Sequence, residues 1–530
     1  MRTKYFHHVF FITAFLITTL FGSIAQAIQI DWNGQFWFEN HWINNYQLDR
    51  GRPNYDNDPD FVNRGGTYVP GAGDRNVVWY SSFLKLKPKI VVNDSINIRS
   101  EWHIGSPIYG FFGRGYPTTT SDATDFNGSQ KQSMAITAQR FWANFITDFG
   151  TIEVGRAPIH WGLGAIWNSG DKLFDHYQST TDTIRLVSKF GNFWLTPFYS
   201  KVATGTNVGG ATDATGATAQ GNDDVTDFGL QAKYDNSEED FEFGLLWNHR
   251  SGSFAQRSVQ FNSLGAGGSN LGSERISYNI YDFYAKKVLG RYTFGGELPL
   301  FTGRLGAMDG VKEFEYHTFA IMVEGNYTSD LWDVGMKAGH VPGQPNGNPD
   351  AGQTPGAAAI SAGDTTYRAV YLNKDYGLGL IMFKYNIYGM ANNNPDTVAP
   401  GSVQSPYDAP IVNANYLALS PALKLDKWTM KWTAVLGYAD HTAQKGKNFY
   451  NYQKRRWYNA IDQKESDQSS FLGKEIDYSL SFKWDENFIA TWDAGIWFPG
   501  SYYEFTNHPY QKLFHPSMVW ASQLRFGVSF

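Results

Sequence analysis

Along most of this chain apolar and polar residues alternate one by one. In the closing stretch "QLRFGVSF", Leu524, Phe526, Val528 and Phe530 share one parity, while Gln523, Arg525, Gly527 and Ser529 share the other. Successive side chains of a β-strand point to opposite faces, so this pattern predicts a strand with one apolar and one polar face. The apolar parity extends back through Trp520 and Met518. The same alternation recurs upstream. Ile476, Tyr478, Leu480 and Phe482 alternate with Glu475, Asp477, Ser479 and Ser481, and Phe488, Ala490, Trp492, Ala494, Ile496 and Phe498 continue it after a turn. Trp428 to Leu436, Phe241 to Trp247 and Ile96 to Trp102 repeat the pattern.

These runs pair through short turns rich in Asp, Asn and Gly, which tolerate tight-turn dihedrals. The turns fall at 147–150, 190–192, 235–240, 289–291, 328–330, 374–376, 425–427 and 485–487. Between the pairs lie long Gly/Asn/Pro/Thr-rich segments, at 45–75, 105–133, 203–223, 251–274, 341–365, 389–411 and 441–470. Short turns alternating with long loops mark an outer-membrane barrel, with the turns on the periplasmic side. The expected fold is therefore all-β: a single closed antiparallel transmembrane β-barrel of about 18–20 strands, spanning residues 28–530. The count itself, ten long loops and nine short connections, gives about 20, with both termini in the periplasm. So wide a barrel holds an aqueous channel unless something plugs it. No amino-terminal plug precedes the first strand candidate, "IQIDWNGQFWFENHW". A secreted sandwich or propeller is the alternative, but no blade repeat of 40–50 residues and no linker are visible.

The front end sets the compartment. Arg2 and Lys4, an apolar run from Val9 to Phe21 and the small-residue site Ala25-Gln26-Ala27 form a cleavable signal peptide over 1–27. There is no cysteine, so neither a disulfide nor a lipid anchor on cysteine is available. The chain is 42% hydrophobic and 17% aromatic, yet its mean hydropathy is −0.40. Apolar content that is aromatic and diluted by polar residues suits a barrel in the bacterial outer membrane. The formal charge of −6 grows more negative once Arg2 and Lys4 are removed, which speaks against a nucleic-acid partner.

The most distinctive stretch is "QRFWANFITDFGTIEVGRAPIHWGLGAIWNSGDKLFDHYQSTTDTIRL". A strand turns at Asp148-Phe149-Gly150, and a second strand reaches Gly155-Arg156. This resembles the hairpin that precedes the constriction loop of general porins. The resemblance implies that 157–182 folds into the lumen, bringing Arg156, His160, Asp171, Lys172, Asp175, His176 and Asp182 to a constriction. By parity the walls add Arg99, Arg140, Arg185, Lys189, Lys431 and Arg525, with Glu101, Glu153, Asp477 and Asp493 of opposite sign. Mixed signs argue against extreme ion selectivity. Trp79, Trp142, Trp194 and Trp497 face inward by parity and are available to stack on sugars.

The stretch "LGKEIDYSLSFKWDENFIATWDAGIWFPGSYY" resembles alginate-export-type outer-membrane barrels. A terminal strand ending in Phe530 also resembles the signal read by the barrel-assembly machinery. Three functions follow as expectations: a porin-like channel for passive diffusion of small polar solutes, a polysaccharide or oligosaccharide conduit, or a surface receptor or adhesin acting through its loops. No catalytic role is expected. Asp175 and His176 are adjacent, and sequence neighbours rarely orient one another for catalysis. "DNDPD" (56–60) has the spacing of a calcium loop, but Phe61 and Thr67 stand where such a loop needs Gly and Glu. No cofactor or metal site is expected. The expected partners are membrane lipid and lipopolysaccharide, small polar solutes or saccharides, and the assembly machinery.

Overall fold

The computed structural model describes residues 29–45, 48, 76–105, 136–203, 225–252, 276–308, 312–346, 366–385, 409–444, 447, 449–452, 456–458, 467–504 and 516–530. The leader 1–27, the acidic stretch 56–60 and the tract 204–222 lie outside these residues.

Alternation translates directly into staves. In chain order they are β1 (Gly34–Asn44, preceded by the short piece Gln29–Asp31), β2 (Asn76–Leu86, continued by Lys89–Asn93), β3 (Ile96–Ile104), β4 (Ile136–Thr147), β5 (Gly150–Pro158) and β6 (Thr180–Phe190). Next come β7 (Phe193–Ala203), β8 (Val225–Asn236), β9 (Phe241–Gly252), β10 (Ile276–Leu289), β11 (Tyr292–Met308) and β12 (Lys312–Phe319 and Ile321–Thr328). The last are β13 (Trp332–Val341), β14 (Ala414–Leu425), β15 (Trp428–Tyr438), β16 (Phe471–Lys483), β17 (Phe488–Pro499) and β18 (Val519–Ser529). Every stave pairs antiparallel with its sequence neighbours, and β1 closes on β18 through pairs such as Phe38 with Phe526 and Asn40 with Leu524. The result is a closed barrel of 18 staves.

Two staves fewer than the count of 20 has a definite cause. The turn expected at 374–376 does not join two wall strands. Its flanks, 366–373 and 377–385, leave the wall, and only Thr366–Tyr367 pair with a stave, parallel to β12. The sequence there explains why. "LGLIMF" (378–383) is apolar without alternation, so it has no wet face to set against a dry one. Leu380, Ile381, Met382 and Tyr385 are buried, which places this stretch inside the barrel. Among the described residues, the filling of the interior comes from mid-chain.

The outer face carries the apolar parity. Phe36, Phe243, Leu417, Leu419, Trp492, Ile496, Leu524 and Phe526 are exposed on it. Aromatic rings mark its two rims. At the short-turn end Trp428 packs on Phe482 at 4.5 Å, Tyr292 on Tyr327 at 5.1 Å and Phe193 on Tyr234 at 5.0 Å. At the long-loop end Trp42 meets Trp520 at 4.9 Å. Such girdles sit at membrane interfaces, where an amphipathic ring keeps one edge wet. A charge in the middle of the apolar band has no such escape. Leu524→Arg should therefore destabilise the barrel by about 2–4 kcal/mol, whereas Thr429→Arg on the inner face should cost less than about 1 kcal/mol. Reversible urea unfolding in lipid bilayers would show the difference, and equal costs would refute this assignment of faces.

Candidate functional site

The inner parity builds the site. Two chain segments cross this space, and each is gripped by wall side chains.

Segment 159–179 links β5 to β6. On one flank, the Trp161 indole N–H donates to the Asp282 carbonyl of β10 at 3.1 Å. Its ring lies over Gly244 of β9, where a Cβ would stand only 2.7 Å from it. The Leu163 amide donates to Glu297 of β11 at 2.5 Å. On the opposite flank, Lys85 of β2 donates to the Gly170 carbonyl at 2.7 Å and Gln35 of β1 to that of Asp171 at 3.0 Å. Arg140 of β4 donates to the Ser169 carbonyl. Lys87 pairs with Asp171 at 2.5 Å. Phe174 adopts a left-handed backbone, φ 73°, at a cost of about 1–2 kcal/mol for an L-residue. Its ring is seated beneath the Arg525 guanidinium at 4.7 Å and against Gly527 of β18, where a Cβ would collide with it.

Segment 366–385 occupies the remaining arc. The Tyr316 hydroxyl of β12 donates to the Ala369 carbonyl at 3.2 Å. On β16, Asp477 accepts the Leu380 amide at 3.0 Å, and Glu475 accepts those of Ile381 and Met382 at 2.7 and 2.5 Å. Three successive N–H groups converging on two carboxylates form a nest, the backbone's ordinary way of holding an anion. Here the anion belongs to the wall, so the wall holds the segment. Phe383, the next residue, is also left-handed, φ 65°. Lys384 donates to Gln523 of β18 at 3.2 Å, and the Tyr385 hydroxyl bonds His41 of β1 at 3.0 Å.

The sequence-derived site residues divide by face. On the inner wall, Glu101 takes Arg140 at 2.9 Å and His103 at 2.8 Å, Glu153 takes Arg185 at 2.6 Å and Asp493 takes Arg525 at 2.8 Å. Lys189 lies over the Trp194 ring at 4.8 Å, and Arg99 is exposed on the inner face with Nε 3.4 Å from Asn97. Lys431 is exposed on the inner parity and makes no hydrogen bond or ion pair among the described residues. On the crossing segment, His160 and Lys172 are exposed, and Asp175 accepts the Lys172 amide at 2.9 Å. His176 is buried and bonds Glu39 of β1 at 2.7 Å, so its partner is neither Asp175 nor any other sequence neighbour.

Arg156 and Asp182 must be corrected. They pair with each other at 2.6 Å but stand on the outer parity, in line with exposed Phe141, Val154 and Ile184. The segment between the staves is also shorter than 157–182, because 157–158 and 180–182 are still strand. Among the tryptophans, Trp79 is stacked flat on His41 at 4.6 Å and Trp497 is fully buried against Tyr503, so neither offers a face to a solute. Sequence reading missed Glu39, His41, Asp282, Glu297 and Asp375. The first four carry the inward parity and could have been found from it. Asp375 sits in a turn that the pattern assigns to the periplasm.

Closure together with an apolar outer belt makes the chain a membrane-spanning β-barrel. Among solved structures it is similar in fold to Pseudomonas aeruginosa OccK1 (OpdK), at 10% identity, 94% of this chain, 98% of that one and a TM-score of 0.45. It is also similar to Pseudomonas aeruginosa OccK2 (OpdF) in complex with glucuronate, at 8%, 94%, 98% and 0.43. A loop-deletion mutant of OmpT, an outer membrane protein of Vibrio cholerae, aligns over 95% of this chain and 100% of its own at 9% identity and 0.34. Likeness this remote says nothing of substrate. No family model and no curated protein matches the chain.

Two outcomes test this geometry. Glu475→Gln removes the charge from the nest, and amide exchange at Ile381 and Met382 should accelerate about five- to tenfold. Unchanged exchange would show that the nest does not hold the segment. Asp175 provides a pH signature. Burial, followed by the negative charge of Asp375, pushes its carboxyl up to about 6. The packed segment thus binds a proton more firmly than the open chain does, so its packing is favoured below the ordinary carboxylate range and weakens as pH rises through about 6. Proteolysis within 159–179 should speed up between about pH 4 and 6 and lose that step in Asp175→Asn. A step that persists in the variant would assign it to another group.

Proposed function

We propose that the protein is a passive channel of the outer membrane for small polar solutes, narrowed by segments 159–179 and 366–385. The supporting observation is a hydrated inner wall beside a restricted passage. On β8 to β14, half-exposed charges of both signs face inward: Lys233 with Glu242 at 3.1 Å, Lys337 with Glu324 at 2.9 Å and Lys424 with Asp333 at 3.1 Å. Pairs in water-filled space contribute little to stability, so a folding role alone does not account for so many of them. They keep the lumen wettable and give a crossing solute substitutes for its hydration shell.

The mixture of signs fits weak ion selectivity. A polymer conduit draws less support, because a threading chain needs an unbroken width and both segments cross it. Planar-bilayer recording of the reconstituted barrel should give discrete conductance steps with weak ion preference. Liposome swelling should admit small sugars and exclude larger ones. A barrel that is folded by heat-modifiable mobility yet silent in both assays would overturn the reading.

A further inference from the structure

We propose that the passage is set by a joint between the two crossing segments, in which Asp375 is the positioning residue. This rests on the channel reading. The Asp375 carboxylate accepts two amides of the other segment: that of His176 through Oδ1 at 3.2 Å and that of Tyr177 through Oδ2 at 2.6 Å. The adjoining Lys374 lies over the Tyr177 ring at 4.5 Å. Two residues before Asp375, the Asn373 amide donates to the Ala165 carbonyl at 2.6 Å. The Asn373 side chain accepts the Asp375 amide at 2.9 Å, which fixes the turn that presents the carboxylate.

The joint belongs to a closed circuit. His176 continues to Glu39 on β1 at 2.7 Å. Gln523 on β18 lies 3.4 Å from Glu39 and 3.2 Å from His41. His41 returns to Tyr385 on the segment that carries Asp375. Wall anchors fix where each segment meets the barrel. They do not fix the segments to one another, and that relation determines the free cross-section. Asp375 supplies it by accepting two adjacent amides, those of buried His176 and half-buried Tyr177. A charged acceptor holding two adjacent donors resists sliding and rotation together.

The test exploits a chain without cysteine. Asp375→Ala should raise single-channel conductance about twofold or more and admit larger sugars in liposome swelling, while heat-modifiable mobility stays that of a folded barrel. A Tyr177→Cys/Lys374→Cys pair bridged by a short bis-methanethiosulfonate crosslinker, each thiolate displacing a methanesulfinate, should bring the Asp375→Ala channel back to wild-type conductance. Without Asp375 the yield of that bridge should fall, which reads the joint independently of conduction. Wild-type conductance in folded Asp375→Ala, or failure of the bridge to restore it, overturns the joint and leaves the channel reading standing. A folded wild-type barrel that never conducts overturns the channel reading, and with it the passage the joint would set. If Asp375→Ala does not insert, bridge yield and conductance in Asp375→Asn decide. Values equal to wild type in both overturn the joint.

Discussion

Hydrocarbon offers no hydrogen bonds, so every peptide group of the wall must find its partner in the wall. Closure of β1 on β18 is the feature on which the remaining structure depends. The seam meets residue by residue, with Phe38 facing Phe526 and Trp42 beside Trp520. Once the seam is closed, the strict period of two assigns every other side chain to lipid. A slip of one residue would turn Arg525 outward and Phe526 inward, so hydrophobic partition and backbone pairing enforce the same register.

Closure creates a second problem. Eighteen staves enclose more space than wall side chains can fill. Here the space is occupied by backbone from two mid-chain segments, and backbone brings unpaired amides with it. The wall meets them with carboxylates: Glu297 for Leu163, Glu475 for Ile381 and Met382, and Asp477 for Leu380. Cationic wall residues do the converse for carbonyls, as Lys85 does for Gly170. Part of the buried charge of this lumen thus serves the backbone of the crossing segments, while Glu101, Glu153 and Asp493 pair with wall arginines.

This division also explains how much was legible in the sequence. Wall strands announce themselves, because lipid on one side and water on the other impose alternation. The apolar faces of β15 to β18 emerged from parity alone, and so did the inward placement of Arg140, Glu153, Asp493 and Arg525. Arg156 and Asp182 misled because the resemblance to a porin hairpin assigned them to the constriction, while their parity, shared with Val154 and Ile184, already pointed outward. The interior segments have no such code. Residues 366–385 contact polar wall on one side and apolar packing on the other without a fixed period, so a turn-like "KDY" between apolar runs resembled a hairpin.

The same reasoning identifies what such a segment looks like before any coordinates exist. A wall strand at a lipid boundary cannot hold six consecutive apolar residues, since half of them would face the wet lumen. "LGLIMF" is therefore incompatible with a stave and compatible with packing inside one. Its partner signal is an acidic pair two residues apart on the inward parity of a neighbouring strand, here Glu475 and Asp477, without a cation opposite. Such a pair is costly to bury unless donors arrive from elsewhere, and in a closed barrel the remaining source is chain folded inward. An unpaired inward acidic pair and a non-alternating apolar run thus each imply the other. Together they mark lumen filling in a sequence whose strands alone describe an open tube.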